Sequence, residues 1–198
     1  MTPVYGLVLA GGFSQRMGRD KGLISWHGKP QRLYLYDLMK ELGMPAFFSC
    51  REEQAAFLKD YPCILDATPG AGPANALLDA HKRHPGVAWL VLACDMPLID
   101  VATLRFLINK RDENFMATAF RAPYFDDGSP DPLCSIWEPK AFDVLAARLQ
   151  EGKRCLRKTL MSMPLNMLEP PNPAVLKNIN TPEELNELMQ EKQDLNDA

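Results

Sequence analysis

No apolar run in this chain of 198 residues approaches the roughly 18 needed to span a bilayer, so no segment reads as a transmembrane helix. Basic charge is not in excess. The 22 lysines and arginines face 25 aspartates and glutamates, and a net charge of −3 argues against a surface built for nucleic acid or anionic membrane. The opening Met1-Thr2-Pro3-Val4-Tyr5-Gly6 lacks a basic n-region, so no signal peptide is expected and the cytoplasm is the expected compartment. Cysteine is sparse, odd in number and widely spaced, at 50, 63, 94, 134 and 155, with no CxxC pair. That pattern excludes a disulfide framework and a zinc cluster and predicts small buried thiols. Of the three histidines, His81 and His84 share a helix face without a third ligand nearby, and they read as residues meeting the negative pole of a helix end. His27, beside Gly28-Lys29-Pro30, reads as a turn residue with no assigned role.

What remains is a composition of 46% hydrophobic and 24% charged residues, which supplies a sizeable core and excludes general disorder. Short apolar runs at Val4–Ala10, Ala46–Cys50, Cys63–Leu65 and Ala88–Cys94 alternate with helical periodicity at Arg32–Leu42, Glu52–Leu58 and Ala74–His84. Strands without polar alternation are buried on both faces, as in a parallel sheet covered by helices. Strand and helix taking turns predicts an α/β fold. The pattern continues with a helix near Val101–Lys110, a strand at Phe115–Phe120, a strand at Leu133–Trp137, and helices at Pro139–Gln150 and Lys153–Met161. Ala122–Pro132 holds three prolines, three aspartates and a glycine and reads as an unpacked surface loop. Thr181-Pro182-Glu183-Glu184 has the form of a capping box. No repeat or linker divides the chain, so one domain over 1–190 with a frayed polar tail at 191–198 is expected.

The segment after the first strand, Leu9-Ala10-Gly11-Gly12-Phe13-Ser14-Gln15-Arg16-Met17-Gly18-Arg19-Asp20-Lys21-Gly22, carries the most chemical information. It leaves a buried strand at the carboxyl edge of the sheet, where ligands of open α/β sheets bind. Gly11 and Gly12 allow close backbone approach, and successive amides there can turn toward phosphate oxygens. Arg16, Arg19 and Lys21 add mobile positive charge, so the segment suits a triphosphate. The spacing is neither G-x-x-x-x-G-K-[ST] nor G-x-G-x-x-G. Asp95 ends the run Trp89–Cys94 and should emerge at the same edge, where a carboxylate beside phosphates can hold Mg²⁺. Asp66 ends the third strand before a glycine-rich turn. It can accept from a ribose hydroxyl or a base edge, or serve as an ordinary turn aspartate.

These motifs occur in one order with Gly28-Lys29-Pro30, Gly72-Pro73, Asp95-Met96-Pro97 and Asn178-Ile179-Asn180-Thr181-Pro182-Glu183-Glu184-Leu185. Together they resemble the molybdenum cofactor guanylyltransferases, the MobA type of nucleotidyltransferase, from about residue 4 to 190. The resemblance implies a three-layer α/β/α Rossmann-like nucleotidyltransferase fold with a mostly parallel sheet. It implies transfer of GMP from GTP to the terminal phosphate of molybdopterin, with Mg²⁺ and release of pyrophosphate. It also implies roles for residues: Leu9, Ala10, Gly11, Gly12, Ser49, Asp66 and Asp95 at the nucleotide, with Lys21 at its phosphates. Asp95 would also be the metal ligand, Arg16, Lys21 and Asp95 the catalytic set, and Asn178 and Asn180 would lie near the pterin phosphate or metal. Molybdoenzymes or cofactor-delivery proteins are the partners such an enzyme would meet.

Ala74-Asn75-Ala76 stands where the family usually continues Leu-Ala-Gly, close to base and sugar. That difference keeps open a molybdopterin cytidylyltransferase using CTP, and a nucleotide-binding regulatory protein without chemistry is the alternative from another class.

Overall fold

The structure is a computed structural model that describes residues 1–11, 20–68, 70–179, 181, 183–188 and 190. Gly12, Arg16, Arg19, Asn180 and the tail 191–198, all singled out above, lie outside the described residues.

Seven strands form one sheet: β1 Val4–Leu9, β2 Ala46–Cys50, β3 Cys63–Leu65, β4 Ala88–Ala93, β5 Ala117–Arg121, β6 Pro130–Trp137 and β7 Leu165–Leu168. Their order is β3-β2-β1-β4-β6-β5-β7. The first four are mutually parallel, β6 is antiparallel to both β4 and β5, and β7 is parallel to β5. Only β6 therefore runs against the rest, and the carboxyl ends of the other six share an edge.

Helices cover both faces. On one side α1 (Gln31–Glu41) and α4 (Val101–Asn109) set Leu35, Leu38, Met39, Leu104 and Leu107 against Val8, Phe48, Leu90, Leu92 and Ile136. On the other, α3 (Pro73–Arg83), α5 (Ala141–Gln150) and α6 (Leu156–Leu160) bring Leu77, Ala80, Phe142, Leu145 and Leu160 onto Leu7, Trp89, Val91 and Trp137. Neighbours along β1 and β4 thus feed opposite cores, as strand geometry requires, and the result is a three-layer α/β/α fold. A short α2, Glu52–Ala55, links β2 to β3.

A third small core packs Ile179, Leu185 and Leu188 on Trp26. Residues 183–188 are helical. Their start has the reciprocal capping expected of it, Glu184 N–H donating to Thr181 Oγ1 and Thr181 N–H to Glu184 Oε2, each at 3.2 Å.

Three expectations need correction. The strand expected at Leu133–Trp137 begins at Pro130, and Ala122, Ser129 and Asp131 are buried, so the 122–132 segment is packed at its two ends while Pro123, Tyr124, Asp126 and Asp127 stay exposed as a surface loop. An irregular register between Ala119 and Arg121 opens the ladder where Pro130 and Pro132 lack donors. β7 was not foreseen, because it is a half-exposed edge strand of only four residues, too short to show a period. Buried thiols hold at Cys50 and Cys134, with burial pushing Cys50 up to about 12, whereas Cys155 is exposed just ahead of α6; all five are free.

Candidate active site

The register fixes what meets at the shared edge. Leu9 of β1 pairs with Ser49 of β2 and with Ala93 of β4, and Cys50 pairs with Leu65 of β3. The residues that leave these strands, Ala10-Gly11, Asp66 and Cys94-Asp95, therefore emerge side by side. Pairing continues past the strand ends, with Ala10 N–H donating to Ser49 O at 2.9 Å and Asp66 N–H to Cys50 O at 3.0 Å. A pocket of about 450 Å³ opens there, lined among others by Leu9, Ala10, Gly11, Lys21, Ser49, Asp66 and Asp95. Every described residue that the resemblance placed at the nucleotide borders this one cavity.

One half of the pocket is built by Gly11, Asp66 and the start of α3. A Cβ on Gly11 would collide with Asp66 Oδ2, so this position admits only glycine while the carboxyl keeps its place. Ser49 Oγ donates to Asp66 Oδ1 at 2.5 Å and holds the carboxyl against Gly11. Burial raises the Asp66 pKa and the Ser49 hydrogen bond opposes that rise. Opposite, Gly72 adopts φ +90°, a conformation few other residues tolerate, and delivers Pro73 as the first residue of α3. The amino end of that helix thus faces the cavity, the positive pole of its dipole suited to anionic ligand atoms. Of Ala74-Asn75-Ala76, only Ala76 lines the pocket; Ala74 is buried in the core and Asn75 Nδ2 turns back to Ala71 O at 3.0 Å.

The other half holds the charge. Lys21 opens a 3₁₀ turn, Lys21–Leu23, capped by Asp20, whose Oδ1 accepts from Gly22 N–H at 2.9 Å. The ammonium of Lys21 donates to Ile179 O at 2.7 Å and lies 3.8 Å from Asp95 Oδ2. Ile179 N–H in turn donates to Asp95 O at 2.8 Å, tying Ile179 to the end of β4. Beneath the turn, Asp20 is braced by Arg32 at 3.7 Å and by Gln54, whose Nε2 bridges Ala10 O at 2.8 Å and Asp20 Oδ2 at 3.2 Å. The two bracing residues, Arg32 and Gln54, were not singled out from the sequence. Only the N-cap form of Asp20 ahead of Lys21-Gly22 was a local signal; Arg32 and Gln54 reach the site from distant helices.

Asn178 is not part of the pocket lining, although its neighbour Ile179 contacts both Lys21 and Asp95. The histidines do structural work: His81 stacks on Phe142 at 3.9 Å, and His84 packs among Tyr5, Phe47 and Trp89. His27 stacks on Tyr34 at 3.6 Å, and its ring Nε2 lies 2.7 Å from Pro97 O. Among the described residues no three His, Cys, Asp or Glu side chains gather as a metal site. A lone carboxylate at the pocket edge still fits Mg²⁺, which binds one or two carboxylates and completes its shell with phosphate oxygens and water.

A three-layer fold whose sheet sets Gly11, a half-buried Asp66 and a Lys21–Asp95 pair around one cavity at its carboxyl edge defines an enzyme that handles nucleotides. Residues 6–165 match the MobA-like NTP transferase domain. The molybdenum cofactor biosynthesis bifunctional protein of Synechocystis sp. is 34% identical over 189 residues, which cover 94% of this chain and 54% of that protein, so the chain spans about half its length. The molybdenum cofactor guanylyltransferase of Pseudomonas entomophila is 34% identical over 184 residues, covering 89% of this chain and 93% of the relative. Among solved structures, the molybdopterin-guanine dinucleotide biosynthesis protein A of Archaeoglobus fulgidus superposes with a TM-score of 0.76 at 23% identity, covering 96% of this chain and 99% of that one. The chain belongs to the MobA-like NTP transferase family. No helix among the described residues is long and apolar enough to cross a membrane.

Proposed function

We propose that the protein transfers GMP from GTP to the terminal phosphate of molybdopterin, forming a guanine dinucleotide cofactor and releasing pyrophosphate. The observation that carries this reading is the meeting of Lys21 and Asp95 at the edge that also presents Gly11 and Asp66. The relatives named for molybdenum cofactor chemistry supply the acceptor.

The attacking phosphate oxygen is already anionic near neutral pH, so the site needs no strong general base. Repulsion between two anions and charge growth on pyrophosphate set the barrier. Lys21 lies where a mobile cation would neutralise that charge, and the Gly11 amide, with Gly12 and Arg16 in the roles the resemblance gives them, would complete a phosphate cradle. Asp66, held by Ser49, accepts from the sugar or the base. Asp95 is the residue to hold Mg²⁺, with Asn178 and Asn180 near the ion or the acceptor phosphate. When bound, the ion supplies Lewis-acid charge to the phosphate oxygens.

The test is label transfer from α-³²P-GTP and, separately, γ-³²P-GTP to molybdopterin. Guanylyl transfer puts the α label into the dinucleotide and the γ label into pyrophosphate. A γ label on the acceptor, or no label from either nucleotide, refutes the reading.

A further inference from the structure

The two halves of the pocket come from separate stretches of chain, and one buried side chain outside the lining bonds to both. That side chain is Gln54 on α2. Its Nε2 donates to Ala10 O at 2.8 Å, directly before Gly11, and to Asp20 Oδ2 at 3.2 Å, directly before Lys21. Its Oε1 accepts from Arg51 N–H at 3.1 Å, which orients the amide on its own helix. Both donors of the amide are therefore used on residues that line the cavity, one in each half.

Asp20 would otherwise work against the site, because its carboxylate borders a cavity suited to anionic ligand atoms. Its Oδ1 accepts from Gly22 N–H at 2.9 Å and closes the 3₁₀ turn, while Oδ2 accepts from Gln54 and faces Arg32 Nη1 at 3.7 Å. Two N–H donors and a guanidinium thus engage the charge and turn it into a bracket for the next residue. That residue is Lys21, whose ammonium donates to Ile179 O at 2.7 Å and lies 3.8 Å from Asp95 Oδ2. On the other side, Ala10 N–H donates to Ser49 O at 2.9 Å, and Ser49 Oγ holds Asp66. The linkage therefore runs from Asp66 through Ser49, Ala10, Gln54 and Asp20 to Lys21. A ligand that joins a sugar to a triphosphate fixes the distance between the groups it offers. A site set at that distance beforehand loses less freedom on binding.

We infer that Gln54 is a positioning residue of the nucleotide pocket, whose amide holds the Lys21 turn in register with Ala10-Gly11 so that one nucleoside triphosphate meets both halves. It touches no substrate and acts through Asp20 and Lys21. This deepens the nucleotidyl-transfer reading, on which its effect on GTP rests, while its effect on the turn itself does not depend on that reading.

The experiment uses the full chain with two substitutions. Gln54→Glu keeps the length and the acceptor for Arg51 N–H but removes both donors and sets a second carboxylate beside Asp20. Gln54→Met removes the donors without adding charge. Isothermal titration with GTP and Mg²⁺ should show Kd raised about tenfold in Gln54→Met and further in Gln54→Glu, while KM for molybdopterin stays within about twofold. In a Lys21→Ala background, Gln54→Met should change the GTP Kd less than about twofold. An unchanged Kd, an equal rise for both substrates, or effects of Gln54→Met and Lys21→Ala that multiply overturn the proposal. Amide hydrogen exchange of the nucleotide-free protein reads the turn directly. Gly22 N–H, bonded to Asp20, should exchange about tenfold faster in both Gln54 variants, while Val91 N–H in β4 keeps its rate. Unchanged exchange at Gly22, or equal acceleration at Gly22 and Val91, overturns the proposal whatever the binding shows. A wild-type protein that binds no GTP refutes the functional reading, and the exchange at Gly22 then decides the positioning role alone.

Discussion

Replacing Lys21 by alanine removes the cation that sits 3.8 Å from Asp95 Oδ2 and is mostly shielded from solvent, with 17% of its side chain exposed. At an effective dielectric constant of about 20, a unit charge pair at that separation is worth roughly 4 kcal/mol. Only part of a charge develops on the leaving pyrophosphate in the transition state, and Asp95 offsets part of the lysine's field. The differential effect is therefore about half the full pair, about 2 to 3 kcal/mol, or on the order of a hundredfold in turnover. Lys21 also donates to Ile179 O, so some thermal stability should be lost with it. Steady-state pyrophosphate release with saturating GTP, Mg²⁺ and molybdopterin separates the two effects, with a melting curve for each variant. Lys21→Arg should recover part of the rate and Lys21→Ala little. An alanine variant with near wild-type turnover and an unchanged melting temperature would refute the electrostatic argument.

Gly11→Ala should displace the Asp66 carboxyl it would strike and raise the GTP KM by about tenfold, with only a small change in melting temperature; isothermal titration of GTP checks it. Asp95→Asn keeps size but halves the acceptor capacity for a hard cation. Turnover should fall on the order of a hundredfold and the Mg²⁺ concentration for half-maximal rate should rise, both read from a Mg²⁺ titration. Asp131 has a pKa pushed up to about 6, chiefly by burial. The native state then binds its proton more tightly than the unfolded state, so wild-type stability falls as pH rises through the interval from about 4 to about 6. Relative to wild type, Asp131→Asn should gain about 2 to 3 kcal/mol between pH 4 and pH 7, measured by urea unfolding at both pH values. A constant difference would show that Asp131 titrates normally.

Much of the site was legible because its positions follow from local rules. Ala46–Cys50 and Cys63–Leu65 are strands with the bounds expected of them, since a short, mostly apolar run between helical stretches marks a strand. Asp66 and Asp95 follow such runs, so their shared edge followed once the sheet was parallel. What stayed hidden depends on contacts between distant segments. The bracing of Asp20 by Arg32 and Gln54 spans turns and helices that no spacing rule connects. The 122–132 segment looked unpacked because proline and aspartate usually mark loops. The burial of its two ends comes from β6 inserting between β4 and β5, a pairing written in no short stretch of residues. Gly72 had a local signal as a turn glycine, but its left-handed φ and the aim of α3 into the cavity emerged only with the fold.

The most direct measurement of the central claim is pyrophosphate release with Mg²⁺ and molybdopterin, comparing GTP, CTP, ATP and UTP at equal concentration. The account predicts turnover with GTP and little with the other three. Turnover with CTP alone would contradict the guanylyl assignment while leaving the transferase site in place. Tight GTP binding with no pyrophosphate from any nucleotide would contradict the assignment of Lys21 and Asp95 to catalysis.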